Sequence, residues 1–260
     1  TWLPDAHPAA PTPISALLSG IVIKAGVYAI LRSLFTFFPS TILHWQTIMV
    51  AISILTMSFG NLAALLQDDI KRLLAYSSIA QIGYISFAIS TATVPQALTI
   101  GLTAALLHIL NHALMKALLF LCAGAFIYRA ETRSLKELAG IGHKMPVTAI
   151  AFTIGALAIS GIPPLNGFVS EVMIAYAGIK AGMLAYTAVF LINILIGFAY
   201  YLRLIKVIVW STPNEKLDKV KDTPYLMLIP ILVLTALCII IGVYSAPFIE
   251  MAGKAAEALT

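Results

Sequence analysis

The sequence predicts an all-α polytopic membrane protein of about seven transmembrane helices, one of them discontinuous. Three observations carry that prediction. The 260 residues are 60% hydrophobic and only 10% charged, whereas a soluble domain is about 25% charged, and the mean hydropathy is +0.97. Apolar runs of the length needed to cross a bilayer recur along the whole chain. The alternating segments of about ten residues that build an outer-membrane barrel do not occur. The chain therefore reads as one transmembrane domain over residues 1–260.

The net charge of +5 does not point to nucleic acid, because the basic residues sit mostly in loops, where they set orientation. Cys122 and Cys238 lie in apolar segments without metal-ligand spacing and read as small packing residues. No charged n-region or cleavage site precedes the first span, so no signal peptide is expected. The first residues, Thr1-Trp2-Leu3-Pro4, read like the middle of a loop. The expectation is a C-terminal portion of a longer subunit, or a trimmed or split product.

Span one is expected at 14–38, after the Pro-rich lead-in PDAHPAAPTP (4–13), where Pro11 and Pro13 suit a helix start. Spans two, three and four follow at 43–66, 71–92 and 96–128, the last long enough to tilt or protrude. A polar connection occupies 128–144, the last two spans lie at 183–209 and 225–248, and a loop fills 210–224 between them. The tail MAGKAAEALT is amphipathic and says little.

The region 145–182 has two readings: two full spans, or one helix broken in the membrane at Gly161-Ile162-Pro163-Pro164. Charge decides between them. The loops holding Lys71/Arg72, Arg129/Arg133/Lys136/Lys144 and Lys216/Lys219/Lys221 should share the cytoplasmic side. They do so only if 145–182 crosses once. That count makes seven spans, with the first residues on the cytoplasmic side and the C-terminus outside. A broken helix exposes backbone groups at mid-membrane, which is tolerated only inside protein or beside a water-filled cavity.

Ionisable residues at membrane depth are expensive and are functional candidates by default. His108, His112 and Lys116 recur at every fourth position of one span, which places them on one helix face at steps of about 6 Å. Groups of this kind, bridged by water, suit a proton path. A zinc site is the alternative for His at i and i+4, but no Cys, Asp or Glu near them in sequence completes a ligand set, so no metal is expected. Lys24 lies about ten residues into span one, deep for a snorkelling lysine, and could carry a proton. Glu171 follows the break by seven residues; it could exchange protons or cap the half-helix, whose dipole favours a carboxylate there. Ser78, Tyr84 and Asn111 are candidates for polar support, with Ser77 and Gln81 in the same span as Ser78. QDDIKR (67–72) reads as a loop that caps span three. No nucleotide loop, nucleophile elbow, haem-attachment motif or cluster-ligand spacing occurs, so neither a catalytic residue nor a cofactor is expected in this chain.

Four segments, WLPDAHPAAPTPISALLSGIVIKAG, DDIKRLLAYSSIAQIGY, HILNHALMKALLFLCAGAFIY and SGIPPLNGFVSE, occur in an order that resembles the antiporter-like subunits of respiratory complex I. Membrane-bound hydrogenases, related archaeal respiratory complexes and multi-subunit cation/proton antiporters carry similar subunits. The resemblance covers residues 2 to about 210. It implies a fourteen-helix subunit with two inverted five-helix repeats, of which this chain would be the C-terminal half: the second repeat and the C-terminal helices. By this resemblance Lys24 matches the connecting lysine of the eighth family helix. His108, His112 and Lys116 match the polar face of the eleventh, and Glu171 the ionisable residue of the broken twelfth. Together they would form the half-channel open to the outer face, while the residues of the other half-channel would lie upstream. Glu171 and HALMK look closest to the hydrogenase-type and complex I middle-subunit branches.

The resemblance implies a proton-translocating, non-redox subunit of an oxidoreductase or translocase complex in a prokaryotic cell membrane. The alternatives are a Na⁺/H⁺ antiporter subunit and a non-pumping scaffold. Implied partners are other antiporter-like and small membrane subunits, the upstream half of the same subunit, the lipid bilayer, and a peripheral arm carrying iron–sulfur clusters and other redox cofactors.

Overall fold

The computed structural model describes residues 2–38, 45–218 and 220–259. Thr1, the start of the second expected span at 43–44, Lys219 and Thr260 lie outside the described residues. The described residues are helical apart from turns and one isolated bridge between Asp69 and Ser134.

The order is α1 (Leu3–Ala9), α2 (Thr12–Leu17), a π-helical segment (Leu18–Val22), α3 (Ile23–Phe37), α4 (Trp45–Leu65), α5 (Ile70–Thr91) and α6 (Leu98–Ala130). After the connection come α7 (Pro146–Ile159), α8 (Asn166–Lys180), α9 (Leu184–Ile205), α10 (Tyr225–Val243) and α11 (Ala246–Glu257). Among the described residues six helices are long and apolar enough to cross a membrane: Thr12–Phe37, Trp45–Leu65, Ile70–Thr91, Pro95–Ala130, Leu184–Trp210 and Tyr225–Val243. α7 and α8 have 14 and 15 residues, about 22 Å each and short of the roughly 30 Å hydrocarbon core. They make one crossing only in tandem, which gives seven with one discontinuous.

α6 is the axle, packed against α2, α5, α7, α8, α10 and α11. Its 33 residues span about 50 Å at 1.5 Å per residue. It ends with Glu131 in the left-handed region at φ 54°. α5 is capped by Asp69, whose side chain accepts from Lys71 N at 2.8 Å and Arg72 N at 3.1 Å, two of the orphan donors of a helix start.

The three basic loops meet at one end of the bundle. Ile70 N donates to Arg133 O and Leu135 N to Asp68 O, at 3.1 and 2.8 Å. The Arg133 guanidinium lies 3.3 Å from Asp69. Lys216 pairs with Glu137 at 2.6 Å and Lys144 with Asp218 at 3.4 Å, while Arg129 donates to Asp222 O. The charge argument for a single crossing over 145–182 thus has a physical counterpart.

Two segments go beyond the sequence reading. The Pro-rich lead-in 4–13 carries α1 and the start of α2. Trp2 and Leu3 line a crevice with Ile23, Val27, Thr56, Ile79 and Ile82, residues from the middle of three spans, while Lys71 Nζ donates to Ala10 O at 2.5 Å at the basic end. α1 is therefore a half-depth helix lying against α5, and the chain turns at Ala10–Pro11 to begin span one. Pro4 and Pro13 fall in first turns, where a missing N–H breaks no helical bond. The tail is also built in: α11 buries Ala252 and Ala256 and packs on α6.

Candidate functional site

The polar face of α6 is turned wholly inward. His108, Asn111, His112 and Lys116 are each 0% exposed. Around them α5 presents Leu74 O, Ser77, Ser78, Gln81 and Tyr84, α8 presents Asn166, Ser170 and Glu171, and α9 presents Tyr201. Because α5 and α6 run in opposite directions, Lys116 meets the start of α5 near the basic end, and His108 meets its middle.

Lys116 Nζ donates to Leu74 O at 2.9 Å, to Ser77 Oγ and to Tyr201 OH at 3.2 Å. Ser78 Oγ donates to the same Leu74 carbonyl at 2.9 Å and lies 2.8 Å from Ser19 Oγ. Lys24 Nζ donates to the Ser19 carbonyl, five residues back inside the π-helical segment. π-helical turns cluster at functional sites, and here the Lys24 ammonium bonds a carbonyl of the turn. Lys24 and Lys116 are thus joined through Ser19, Ser78 and the Leu74 carbonyl rather than by contact. The described ion pairs include neither of them.

His112 stands between Lys116 and His108, and neither ring nitrogen has a protein partner. Its ring is nearly parallel to that of His108, with centroids 6.2 Å apart. No hydrogen bond joins the two rings, so a proton passes between them through water.

His108 is fully engaged. Its Nε2 lies 2.7 Å from Gln81 Oε1 and its Nδ1 2.9 Å from Ser170 Oγ. Since an amide oxygen only accepts, Nε2 carries a proton. Ser170 has one hydroxyl proton and two places to send it, His108 Nδ1 or Gly167 O at 3.1 Å, and it accepts from Asn111 Nδ2 at 3.1 Å. Turned to Nδ1, the hydroxyl serves a neutral imidazole; turned to Gly167, it can accept from the imidazolium. Ser170 is a rotor matched to both protonation states.

Glu171 is 4% exposed. Its carboxyl sits where a Cβ on Gly161 would stand, so the break and the acid are in contact. Gln81 is its side-chain hydrogen-bonding neighbour, while Oε1 has no partner. The break itself is satisfied from outside: Asn111 Nδ2 donates to Asn166 O at 2.8 Å, and Gln81 Nε2 reaches Ile159 O at 3.5 Å. Gly161 takes φ +70°, Pro163 and Pro164 complete the turn, and the helix resumes at Asn166.

Every expected ionisable and polar-support residue is buried, whereas Pro163 and Pro164 of the break are exposed, and the buried set forms two groups rather than one wire. Ser78 and Lys116 meet at the Leu74 carbonyl, with Lys24 tied to them through Ser19; His108, Asn111 and Glu171 gather through Gln81 and Ser170; His112 lies between them. Tyr84 belongs to a third network, accepting from Asn61 Nδ2 at 3.1 Å, with its ring 6.3 Å from His108. Asn61 also donates to Asn193 Oδ1 at 3.0 Å and accepts from Tyr200 OH at 3.1 Å. Among the described residues no group of three or more His, Cys, Asp or Glu is placed to hold a metal ion.

Sequence reasoning missed Ser19, Tyr201, Ser170 and His7. Ser170 and Ser19 carried a signal, standing beside Glu171 and five residues before Lys24. Tyr200-Tyr201 carried none, since tyrosines in an apolar run read as interface anchors. His7 is fully buried, stacked on Phe120 with centroids 4.7 Å apart and with no partner for either ring nitrogen.

A chain of this shape, with ionisable residues on a long axial helix beside a broken one, matches a known family. Residues 1–197 match the family described as NADH:quinone oxidoreductase/Mrp antiporter, TM. The chain belongs to this family. It is 37% identical to hydrogenase-4 component B of Escherichia coli (strain K12) over 261 aligned positions, 93% of this chain and 39% of that protein. It is 33% identical to NADH-quinone oxidoreductase subunit M of Rickettsia prowazekii (strain Madrid E), covering 93% of this chain and 48% of the relative. Among solved structures, it matches a chain of the membrane-bound sulfane sulfur reductase, an archaeal respiratory membrane complex, with a TM-score of 0.89 and 35% identity. That match covers 99% of this chain and 51% of the other. This member of the antiporter-like family therefore spans about half the length, or less, of the relatives it matches.

Proposed function

We propose that the chain forms one half-channel of a proton-translocating subunit in a redox-driven respiratory complex of the complex I or membrane-bound hydrogenase kind. One observation carries the reading: Lys116, His112, His108 and Glu171 are all buried, none has a counter-ion, and polar groups of α5 and α8 fill the gaps except at His112. Buried ionisable groups are costly to keep, and packing alone gives no reason to hold four of them in file. A scaffold would gain by replacing them.

In this reading Lys24 exchanges a proton with the Lys116 station through water beside Ser19 and Ser78. Lys116, released from Ser77 and Tyr201, protonates His112 through water; His112 passes the proton to His108. The Ser170 hydroxyl swings from Nδ1 to Gly167 O as His108 becomes charged. Proton loss from His108 delivers the charge to Glu171 beside Gln81, and the carboxyl releases it toward the end opposite the basic loops. The basic end is the cytoplasmic face of a prokaryotic cell membrane. Electron transfer, with its iron–sulfur clusters, belongs to a peripheral arm; this chain contributes the path. The remaining half of the subunit and other membrane subunits cover α2 and α3, whose surfaces are largely exposed.

The test is Glu171→Gln in the assembled complex in sealed vesicles, with redox turnover and gradient formation measured together, with and without sodium. The expected result is a collapsed gradient with turnover persisting or slowed, independent of sodium. Unchanged gradient and turnover would make Glu171 a structural cap and favour a scaffold. A gradient that follows sodium would favour the Na⁺/H⁺ antiporter reading.

A further inference from the structure

α8 and α9 leave between them a cavity of about 390 Å³. Its walls are Phe168, Val172 and Tyr176 of α8 and Leu191 and Ile194 of α9, and Glu171 and Gly161 form its floor. Phe168, Val172, Tyr176 and Leu191 are all exposed on the outside of the bundle. The mouth therefore opens sideways, toward the hydrocarbon of the bilayer. The size lies within the range of small-molecule pockets, about 300–1,000 Å³.

The floor and the walls differ sharply in chemistry. The walls are apolar, and the floor holds one carboxyl whose Oε1 has no hydrogen-bond partner. None of the ion pairs among the described residues includes Glu171. Lys180 stands at the α8 terminus over the ring of Tyr176, its Nζ 5.4 Å from the centroid, so it lies against a wall of the cavity and not its floor. An uncompensated acid at the bottom of an apolar pocket calls for an apolar body with one cationic, hydrogen-donating end.

We propose that this cavity binds membrane-partitioned hydrophobic amines, with the alkyl chain against α8 and α9 and the nitrogen on Glu171. A primary alkyl amine enters the bilayer uncharged, so no ion has to cross hydrocarbon. At the floor it takes the carboxyl proton: the O–H bond of Glu171 breaks, an N–H bond forms, and the pocket's net charge is unchanged. The resulting ammonium donates to Oε1. Binding itself does not depend on the transport role of Glu171; if that role holds, an occupied cavity also blocks proton release.

The test uses native membranes containing the assembled complex and a decylamine probe with a mid-chain photoreactive diazirine. Labelled residues are mapped by mass spectrometry. Saturable labelling of α8 and α9 residues of the cavity is expected, competed by unlabelled decylamine. A decanol probe of the same shape should label them about tenfold less, the loss of one charge-assisted hydrogen bond. Glu171→Gln, which removes the acid, and Ala175→Trp, at a further wall position on α8, which fills the cavity but keeps the acid, should each reduce labelling by a similar factor. Equal labelling by amine and alcohol, or labelling untouched by Glu171→Gln, would overturn the proposal. The amine–alcohol comparison is made on the unaltered protein, and no readout requires ion movement, so failure here is distinct from failure of the transport reading.

Discussion

The Glu171 carboxyl rests on Gly161, in the space any side chain at that position would occupy. The break and the acid are thus one unit: the backbone at Gly161, at φ +70°, both admits the carboxyl and sets the turn. Gly161→Ala should cost about 1–2 kcal/mol for the left-handed backbone plus the displacement of Glu171. In a Glu171→Ala background only the backbone cost remains. Thermal unfolding of the four species in detergent reads the coupling, expected at about 1 kcal/mol or more; additive losses would mean that the contact carries nothing.

Ser170→Ala removes the rotor beside His108 while leaving the ring bonded to Gln81. Gradient formation is expected to slow about a hundredfold, the low end for losing one positioned proton-transfer group. Its solvent deuterium isotope effect should rise because proton transfer at His108 becomes limiting. Initial rates in vesicles prepared in H₂O and D₂O check this, and an unchanged isotope effect would remove Ser170 from the path.

α1 is held by three cations from the basic end. Arg72 pairs with Asp5 at 2.6 Å, Arg133 Nη1 donates to Pro8 O at 2.7 Å, and Lys71 Nζ donates to Ala10 O at 2.5 Å. The motif QDDIKR therefore grips α1 as well as capping α5. Asp5 and Arg72 are largely exposed, so Asp5→Asn should change stability by less than about 1 kcal/mol. Lys71 is 3% exposed, and Lys71→Met should cost about 1–2 kcal/mol by orphaning a part-buried carbonyl. Amide exchange over residues 3–10 should accelerate far more in the second variant than in the first.

Asn61 joins α4, α5 and α9 through Tyr84, Asn193 and Tyr200. Replacing it with Leu keeps the volume but strands three buried polar partners. The expected cost is about 3 kcal/mol, seen as a lower midpoint in thermal unfolding, whereas Ser53→Ala, on the same helix but bonded only to Val50 O, should change it little.

At the basic end, Lys216 and then Thr132 hydrogen-bond Glu137 and hold its carboxyl below the usual carboxylate range. A depressed carboxylate stabilises above its unfolded value and stops doing so as pH falls through the folded one. The tether between the 128–144 connection and the 210–224 loop should therefore persist at neutral pH and loosen only below the ordinary glutamate range. Amide exchange of residues 211–218, corrected for intrinsic rate, should show this in the wild type, and Glu137→Gln should be loose at every pH.

The sequence alone determined the architecture. Membrane crossings are read from length and apolarity because lipid requires every backbone group to pair within its own helix, and the basic loops then counted the crossings. It also determined which side chains face inward on α6, since spacing by four is a local property. What it could not decide was any partner supplied from elsewhere in the chain. Whether Lys24 meets His108 or Ser19, whether Tyr84 serves the histidines or Asn61, and that Tyr201 reaches Lys116 depend on how helices far apart in sequence are rotated against one another. The lead-in shows the same limit from the other side: prolines and small residues look like a loop, and only the hold of Lys71, Arg72 and Arg133 makes α1 a half-depth helix. Local chemistry fixes which groups must be buried together, but packing across the bundle chooses the pairs.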